Sequence, residues 1–243
     1  QSERMAAMGQ TIATLSHHIK NILQGINGGS YLVQSGVANN EMDTVKTGWQ
    51  IVEKNQAKIS QLVMDMLSFS KERQPEMVEG TIESTVSDVV ELLEHRAAEN
   101  NVKLLWTPGT DTPTCLYDPE AIHRAVLNVA SNGIDALETI ENGIIEVSTR
   151  LDPESRQIEI WIIDNGPGIE PENLKKIFSV FESGKGQRGT GLGLPVSQKI
   201  MHEHGGDIRV ESQTGQGSKF CLHFPLLTSL NDGQTNEFPE ISH

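Results

Sequence analysis

From Met5 onward the apolar residues Met5, Met8, Ile12, Leu15, Ile19, Ile22 and Ile26 recur at alternating steps of three and four. That is the a/d stripe of a bundle or coiled-coil helix, in which a narrow apolar seam stays turned toward a partner. The spacing predicts one long helix over 3–34. The stretch Ser35 to Asp43 holds Gly36, Asn39 and Asn40 and predicts a turn, after which Val45, Trp49, Val52, Ile59, Val63 and Met66 repeat the pattern. Gln74-Pro75 ends this second helix. Two helices alone leave too much apolar surface in water, so the expected closure is a four-helix bundle made by a homodimer.

A different pattern follows. Residues 81–100 form an amphipathic helix, Val102 to Trp106 a short strand, and Asp118-Pro119 supplies a cap and a first-turn proline for a helix through Leu137. Strand signals then fall at Ile144 to Thr149, Ile158 to Ile163, Ile208 to Glu211 and Lys219 to Phe224. The expected fold class is therefore α plus α/β, a helical hairpin followed by an α/β sandwich. Charge divides the chain at the same place: residues 1–75 carry seven Lys/Arg against six Asp/Glu, residues 76–228 twelve against twenty-four, and residues 229–243 none against three. We therefore expect domains at 1–75 and 76–228 and a disordered tail over 229–243, where apolar side chains are few. So acidic a second domain argues against nucleic acid or an anionic membrane as partner.

A chain of 243 residues should bury roughly 70–75% of its unfolded surface. No apolar run approaches the ~18 residues that span a bilayer, and no charged start followed by an apolar stretch resembles a signal peptide. The start at Gln1 suggests a fragment, cytoplasmic itself, of a parent that carries any sensor or membrane anchor upstream. Cys115 and Cys221 lie far apart and form no C-x-x-C pair, so they are expected to be reduced, structural thiols.

Three short motifs in the second domain carry chemistry. In Asn128-Val129-Ala130-Ser131-Asn132 two amides four residues apart share a helix flank and can offer oxygen to Mg²⁺ and nitrogen to phosphate. Asp164-Asn165-Gly166-Pro167-Gly168-Ile169 follows a strand directly. Its carboxylate can accept from an exocyclic amine, and Gly166 and Gly168 allow a ligand close to the backbone. Gly189-Thr190-Gly191-Leu192-Gly193-Leu194 enters a helix whose first N–H groups can cradle phosphate. About twenty residues separate the last two motifs, long enough for a lid. His202, Glu203 and His204 precede Gly205-Gly206 and suit a helix end better than a metal site.

In this order the motifs resemble the N, G1, F and G2 boxes of the histidine-kinase ATP-binding domain, of the superfamily that also holds gyrase, Hsp90 and MutL. The resemblance covers nearly all of 76–228. It implies that ATP and Mg²⁺ are the cofactors, with Asn132 on the metal, Asn128 near the phosphates, Asp164 reading adenine, and Phe181 marking the F box. Gly189, Thr190, Gly191, Leu192 and Gly193 would hold phosphate, Lys185 would contact the γ-phosphate from the lid, and Gly215-Gln216-Gly217-Ser218 resembles the family's last glycine turn.

The first helix adds Leu15-Ser16-His17-His18-Ile19-Lys20-Asn21, which resembles the H box of the dimerisation and phosphoacceptor domain. With Ile12 at a and Leu15 at d, His17 falls at f, away from the seam and open to an incoming nucleotide. The resemblance implies transfer of the γ-phosphoryl group to His17, onward transfer to an aspartate of a response-regulator receiver domain, and a role for Asn21 in the reverse reaction. Two positions depart from the family: His18 stands where an acidic residue is usual, and so becomes the candidate proton acceptor, and Ile22 replaces a proline. Gly25, Gly28 and Gly29 are expected to supply local flexibility instead. The alternatives are an ATP-hydrolysing clamp and a silent nucleotide-binding scaffold. Asn128 occupies the position at which the clamps carry a water-activating Glu, which disfavours the first.

Overall fold

The computed structural model describes residues 2–70, 74–180 and 191–228. It divides into two compact units, one of 1–72 with 177–195 and one of 73–176 with 196–243.

In the first unit, α1 (Ser2–Asn39) and α2 (Met42–Ser70) form the hairpin. The expected nine-residue turn contracts to Asn40 and Glu41. Asn40 takes a left-handed φ of 57°, and Glu41 N–H closes on Gly36 O at 2.8 Å. Helix α1 outlasts its expected end because glycine here serves close approach. A Cβ on Gly29 would lie 2.7 Å from Gly48 O, one on Gly48 2.6 Å from Gly29 O, and one on Gly36 2.8 Å from Val45 N. Gly25 likewise abuts the Asn55 side chain at 2.6 Å, so of the three glycines expected to loosen the helix only Gly28 has open space around it. In the single chain the tight crossing leaves part of the second stripe uncovered. Gly48 takes the inward position, and its neighbour Trp49, about 100° further round the helix, is left 54% exposed, as Val63 is at 49%.

Ile22 and Leu62 are buried together with Leu192, and Leu15, Ile19, Ile26, Ile59, Met66 and Val180 pack around them. The seam read from Leu15 to Ile26 is thus the inner face of the hairpin. His17 is exposed.

The second unit is built on a five-stranded sheet, ordered β2 (Lys103–Thr107), β4 (Ile144–Asp152), β5 (Gln157–Asp164), β7 (Ser218–Pro225) and β6 (Asp207–Ser212). Only the β2–β4 pair is parallel. Strand alternation gives the sheet two faces. On one, Ile158, Ile160 and Ile162 pair with Phe224, Leu222 and Phe220, and all six are buried. Helices α3 (Ile82–Glu99) and α4 (Pro119–Ala136) bury Val86, Val89 and Leu93, and Ile122, Val126, Val129 and Ile134. On the other face Glu159 is only 2% exposed, because Arg150 Nε (2.6 Å) and Trp161 Nε1 (2.8 Å) both donate to it and Arg150 stacks over the Trp161 ring.

A small second sheet, β1 (Val78–Gly80) with β3 (Cys115–Tyr117), was not visible in the sequence pattern, nor was the single turn α5 (Pro171–Leu174). Helix α6 (Gly193–Glu203) precedes β6. Cys115 and Cys221 are buried free thiols, which burial pushes up to about 11 and about 12. The expected tail lies outside the described residues. Among the described residues no helix is long and apolar enough to cross a membrane.

The glycine crossing makes a paired prediction. Gly29→Leu should destabilise the hairpin by about 1–3 kcal/mol, as overpacking does, whereas Gly28→Ala should stabilise it by about 0.5–1 kcal/mol through helix propensity. Urea unfolding followed by helical circular dichroism measures both.

Candidate functional site

Helix α4 begins where Asp118 Oδ1 accepts the Ala121 N–H at 3.0 Å and Pro119 takes a position that needs no N–H. Its apolar face lies on the sheet, which leaves Asn128 and Asn132 half-buried along one flank. Asp135, three residues further, accepts from Arg96 Nη2 of α3 at 2.5 Å and so ties the last turn of α4 to its neighbour.

Asp164 closes β5. Its carboxylate accepts the Gly166 N–H at 2.9 Å and is also bonded by the Ser218 backbone, but burial outweighs both and raises its pKa above the usual aspartate value. The turn that follows cannot carry side chains. A Cβ on Gly166 would sit 2.7 Å from Asp164 Oδ1, and one on Gly168 (φ 70°) would sit 2.1 Å from Gln213 O. Gly217 (φ 85°) crosses from the other side, its Cβ position 1.9 Å from Asp164 O. Asn165 anchors the turn outward, accepting from Ile144 N at 2.7 Å and donating to Asn142 O at 3.1 Å. Ser212 Oγ accepts from Ile169 N and donates to Gly217 O, joining the two glycine turns.

Helix α4 and this turn meet. A Cβ on Gly133 would lie 2.7 Å from Ile145 Cδ1 and 4.0 Å from Asp164 Cβ, and Gly166 faces Leu137 and Ala136. The Asn128/Asn132 helix and the Asp164-Gly166-Gly168 turn are therefore neighbours, with a buried acceptor beside backbone free of side chains. Such a site suits a flat heterocycle with an exocyclic amine. Among the described residues no cluster of three or more His, Cys, Asp or Glu could hold a metal by itself. Asn132 offers one amide oxygen, a hard ligand of the kind Mg²⁺ accepts but too little to hold the ion by itself.

The remaining expected residues fall elsewhere. Gly191 (φ 66°), the buried Leu192 and Gly193, which opens α6, belong to the first unit. Phe181, Lys185, Gly189 and Thr190 lie outside the described residues. On α1 the Asn21 Nδ2 amide lies 3.3 Å from His17 Nδ1, while the His17 and His18 ring centroids are 6.4 Å apart. The sequence reading missed the second oxygen of Asp118, which accepts from Glu76 N at 2.9 Å, and the ring of His204, whose Nε2 accepts from Asp118 N at 3.0 Å. No local signal exists for a bond between residues so far apart in the chain.

The family described as histidine kinase-, DNA gyrase B-, and HSP90-like ATPase matches residues 117–228. Sensor histidine kinase ZraS of Escherichia coli strain K12 is 28% identical over 96% of this chain and 49% of its own length. Signal transduction histidine-protein kinase AtoS of the same strain is 30% identical over 93% of this chain and 36% of its own. The chain thus spans half or less of the length of these curated relatives. Among solved structures, histidine kinase ThkA in complex with response regulator TrrA aligns with a TM-score of 0.72 at 25% identity, covering 93% of this chain and 64% of that one. Full-length ShkA in complex with AMPPNP aligns at 0.66 and 25%, covering 90% and 46%.

The glycine turns yield a second paired prediction. Gly217→Ala should cost at least about 2–3 kcal/mol, combining a left-handed φ with a backbone clash. Gly215→Ala (φ 79°), whose Cβ would meet nothing within 4 Å, should cost only about 1–2 kcal/mol. Denaturant midpoints distinguish them.

Proposed function

We propose that this chain is a histidine kinase like the sensor kinases it matches, that it binds Mg·ATP in its α/β unit and that it transfers the γ-phosphoryl group to His17. The observation that carries the reading is the buried Asp164 acceptor set against the Asn-bearing helix α4, in a chain that also presents an exposed histidine on a helical hairpin.

In this reading the Asp164 carboxylate accepts from the adenine amine. Gly166 and Gly168 admit the ring, and Asn128 and Asn132 serve the phosphates and Mg²⁺. On sequence resemblance alone the motif Gly189-Thr190-Gly191-Leu192-Gly193 is assigned to phosphate, and Phe181 and Lys185 to the nucleotide. The Nε2 lone pair of neutral His17 attacks the γ-phosphorus, the bond to the bridging oxygen breaks, and ADP leaves. The ring then sheds its Nδ1 proton. His18, with ring centroids 6.4 Å apart, stands too far for a direct hydrogen bond and within reach through one water. Asn21 Nδ2 lies 3.3 Å from His17 Nδ1, a donor that suits the other tautomer, so attack through Nε2 requires this amide to turn its oxygen toward the Nδ1 proton; the same residue is placed to serve the reverse reaction.

We also assign the domains as 1–75 and 76–228, the first pairing with a second copy in a four-helix bundle. Leu23, Tyr31, Val37, Met42, Trp49, Val63 and Leu67, exposed in the single chain, supply the apolar surface for that pairing and for a receiver domain whose aspartate takes the phosphoryl group.

Incubation with γ-³²P-ATP tests the reading. Label should appear on the protein and vanish in His17→Ala and Asn132→Ala. Release of free phosphate without labelling would indicate a clamp, and neither outcome a scaffold. Asp164→Ala should weaken ATP binding by about 1–3 kcal/mol in calorimetry. His18→Ala should slow labelling and His18→Glu retain it.

A further inference from the structure

Two segments distant in sequence converge on Asp118 at the start of α4, where it is 2% exposed. Its Oδ1 caps α4 through Ala121 N, its Oδ2 holds Glu76 N at 2.9 Å, and its own N–H donates to His204 Nε2 at 3.0 Å. His204, 4% exposed, has Nδ1 2.8 Å from Ile200 O. A carbonyl accepts only, so Nδ1 carries the proton and Nε2 the lone pair, a neutral ring in one tautomer. Burial lowers its pKa, in keeping with that state.

The ring has no latitude. It stands edge-on to Phe224 of β7 at 5.8 Å, and two residues later a Cβ on Gly206 would sit 1.8 Å from His223 O, so the end of α6 is pinned to the sheet. A second strap joins the same helices, Ser197 Oγ donating to Ala125 O at 3.2 Å in the interior. Helix α4 is thus located from its first turn by α6 and by the chain entering at Glu76. Asn128 and Asn132 lie ten and fourteen residues along from Asp118, and a helix transmits displacement of its start to every side chain it carries.

We propose that Asp118 and His204 are positioning residues of the nucleotide site, setting the axial and rotational place of α4 and hence of Asn128 and Asn132. The proposal rests on the nucleotide-binding reading above. It adds that these two buried groups govern nucleotide recognition while touching no substrate.

The experiment compares His204→Leu, His204→Gln and Asp118→Asn in the full chain. Labelling rates are measured against ATP concentration, with the folded fraction fixed by circular dichroism. Leucine removes the acceptor for Asp118 N–H, so the ATP KM should rise about tenfold, a displacement well under the ~1 Å that can cost a hundredfold. The kcat per folded molecule should stay within about twofold of wild type. Glutamine offers Oε1 near the place of Nε2 and should return KM toward wild type. Asp118→Asn keeps one oxygen for two N–H groups and should raise KM as well. A purely structural role would lower the active fraction and leave KM alone. Unchanged KM in folded His204→Leu, or glutamine no better than leucine, overturns the proposal. If the leucine variant does not fold, unchanged KM in Asp118→Asn overturns it. Should wild type fail to label at all, the kinase reading fails by itself, and the same variants are then compared by ATP calorimetry, where equal affinities overturn the positioning role.

Discussion

The turn that ends β5 and holds Asp164 depends on two backbone crossings too close for a β-carbon. Gly217 passes over the Asp164 carbonyl and Gly168 over that of Gln213, with built Cβ positions 1.9 and 2.1 Å from those oxygens. Both glycines use left-handed φ values, open to other residues only with strain. Because the two turns are locked together, the end of β5 cannot fray. The Asp164 carboxylate is therefore held where burial makes its charge costly, a condition that favours a ligand able to donate to it.

The helical unit uses the same device for another end. Gly29 and Gly48 face each other, with Gly25 and Gly36 a turn or two away, and the helices approach until carbonyl oxygens occupy the space of side chains. Close approach increases dispersion contacts along the backbone but leaves less side-chain volume in the seam. Apolar residues that a wider crossing would cover, Trp49 among them, are turned outward.

Periodicity made most of this fold legible. The stripe from Leu15 to Ile26, the Asp118-Pro119 start of α4 and the alternating β5 all announce themselves, since each rests on a preference acting within a few residues. Asn128, Asn132, Asp164, Gly166 and Gly168 were legible as motifs, and the structure brings the helix and the turn together. Glycine in the hairpin was misjudged, because a glycine chosen for close packing and one chosen for freedom look alike until the opposing helix is known. Strands β1 and β3 are three residues each, too short for alternation to register. The bonds from Asp118 to Glu76 and to His204 span 42 and 86 residues, and only the folded chain reveals them.

The placement of the tryptophans has a practical consequence. Trp161 lies on the sheet face away from α3 and α4, its indole N–H held by Glu159 and its ring covered by Arg150, so its surroundings are fixed and remote from ligand chemistry. Trp49 stands half in solvent on the hairpin, where pairing with another helical surface would take it out of water. The α/β unit carries a second tryptophan, Trp106 of β2, so a Trp106→Phe background is what separates a covered Trp161 from a solvent-sensitive reporter on the helices, and no extrinsic dye is then needed to follow association of the helices.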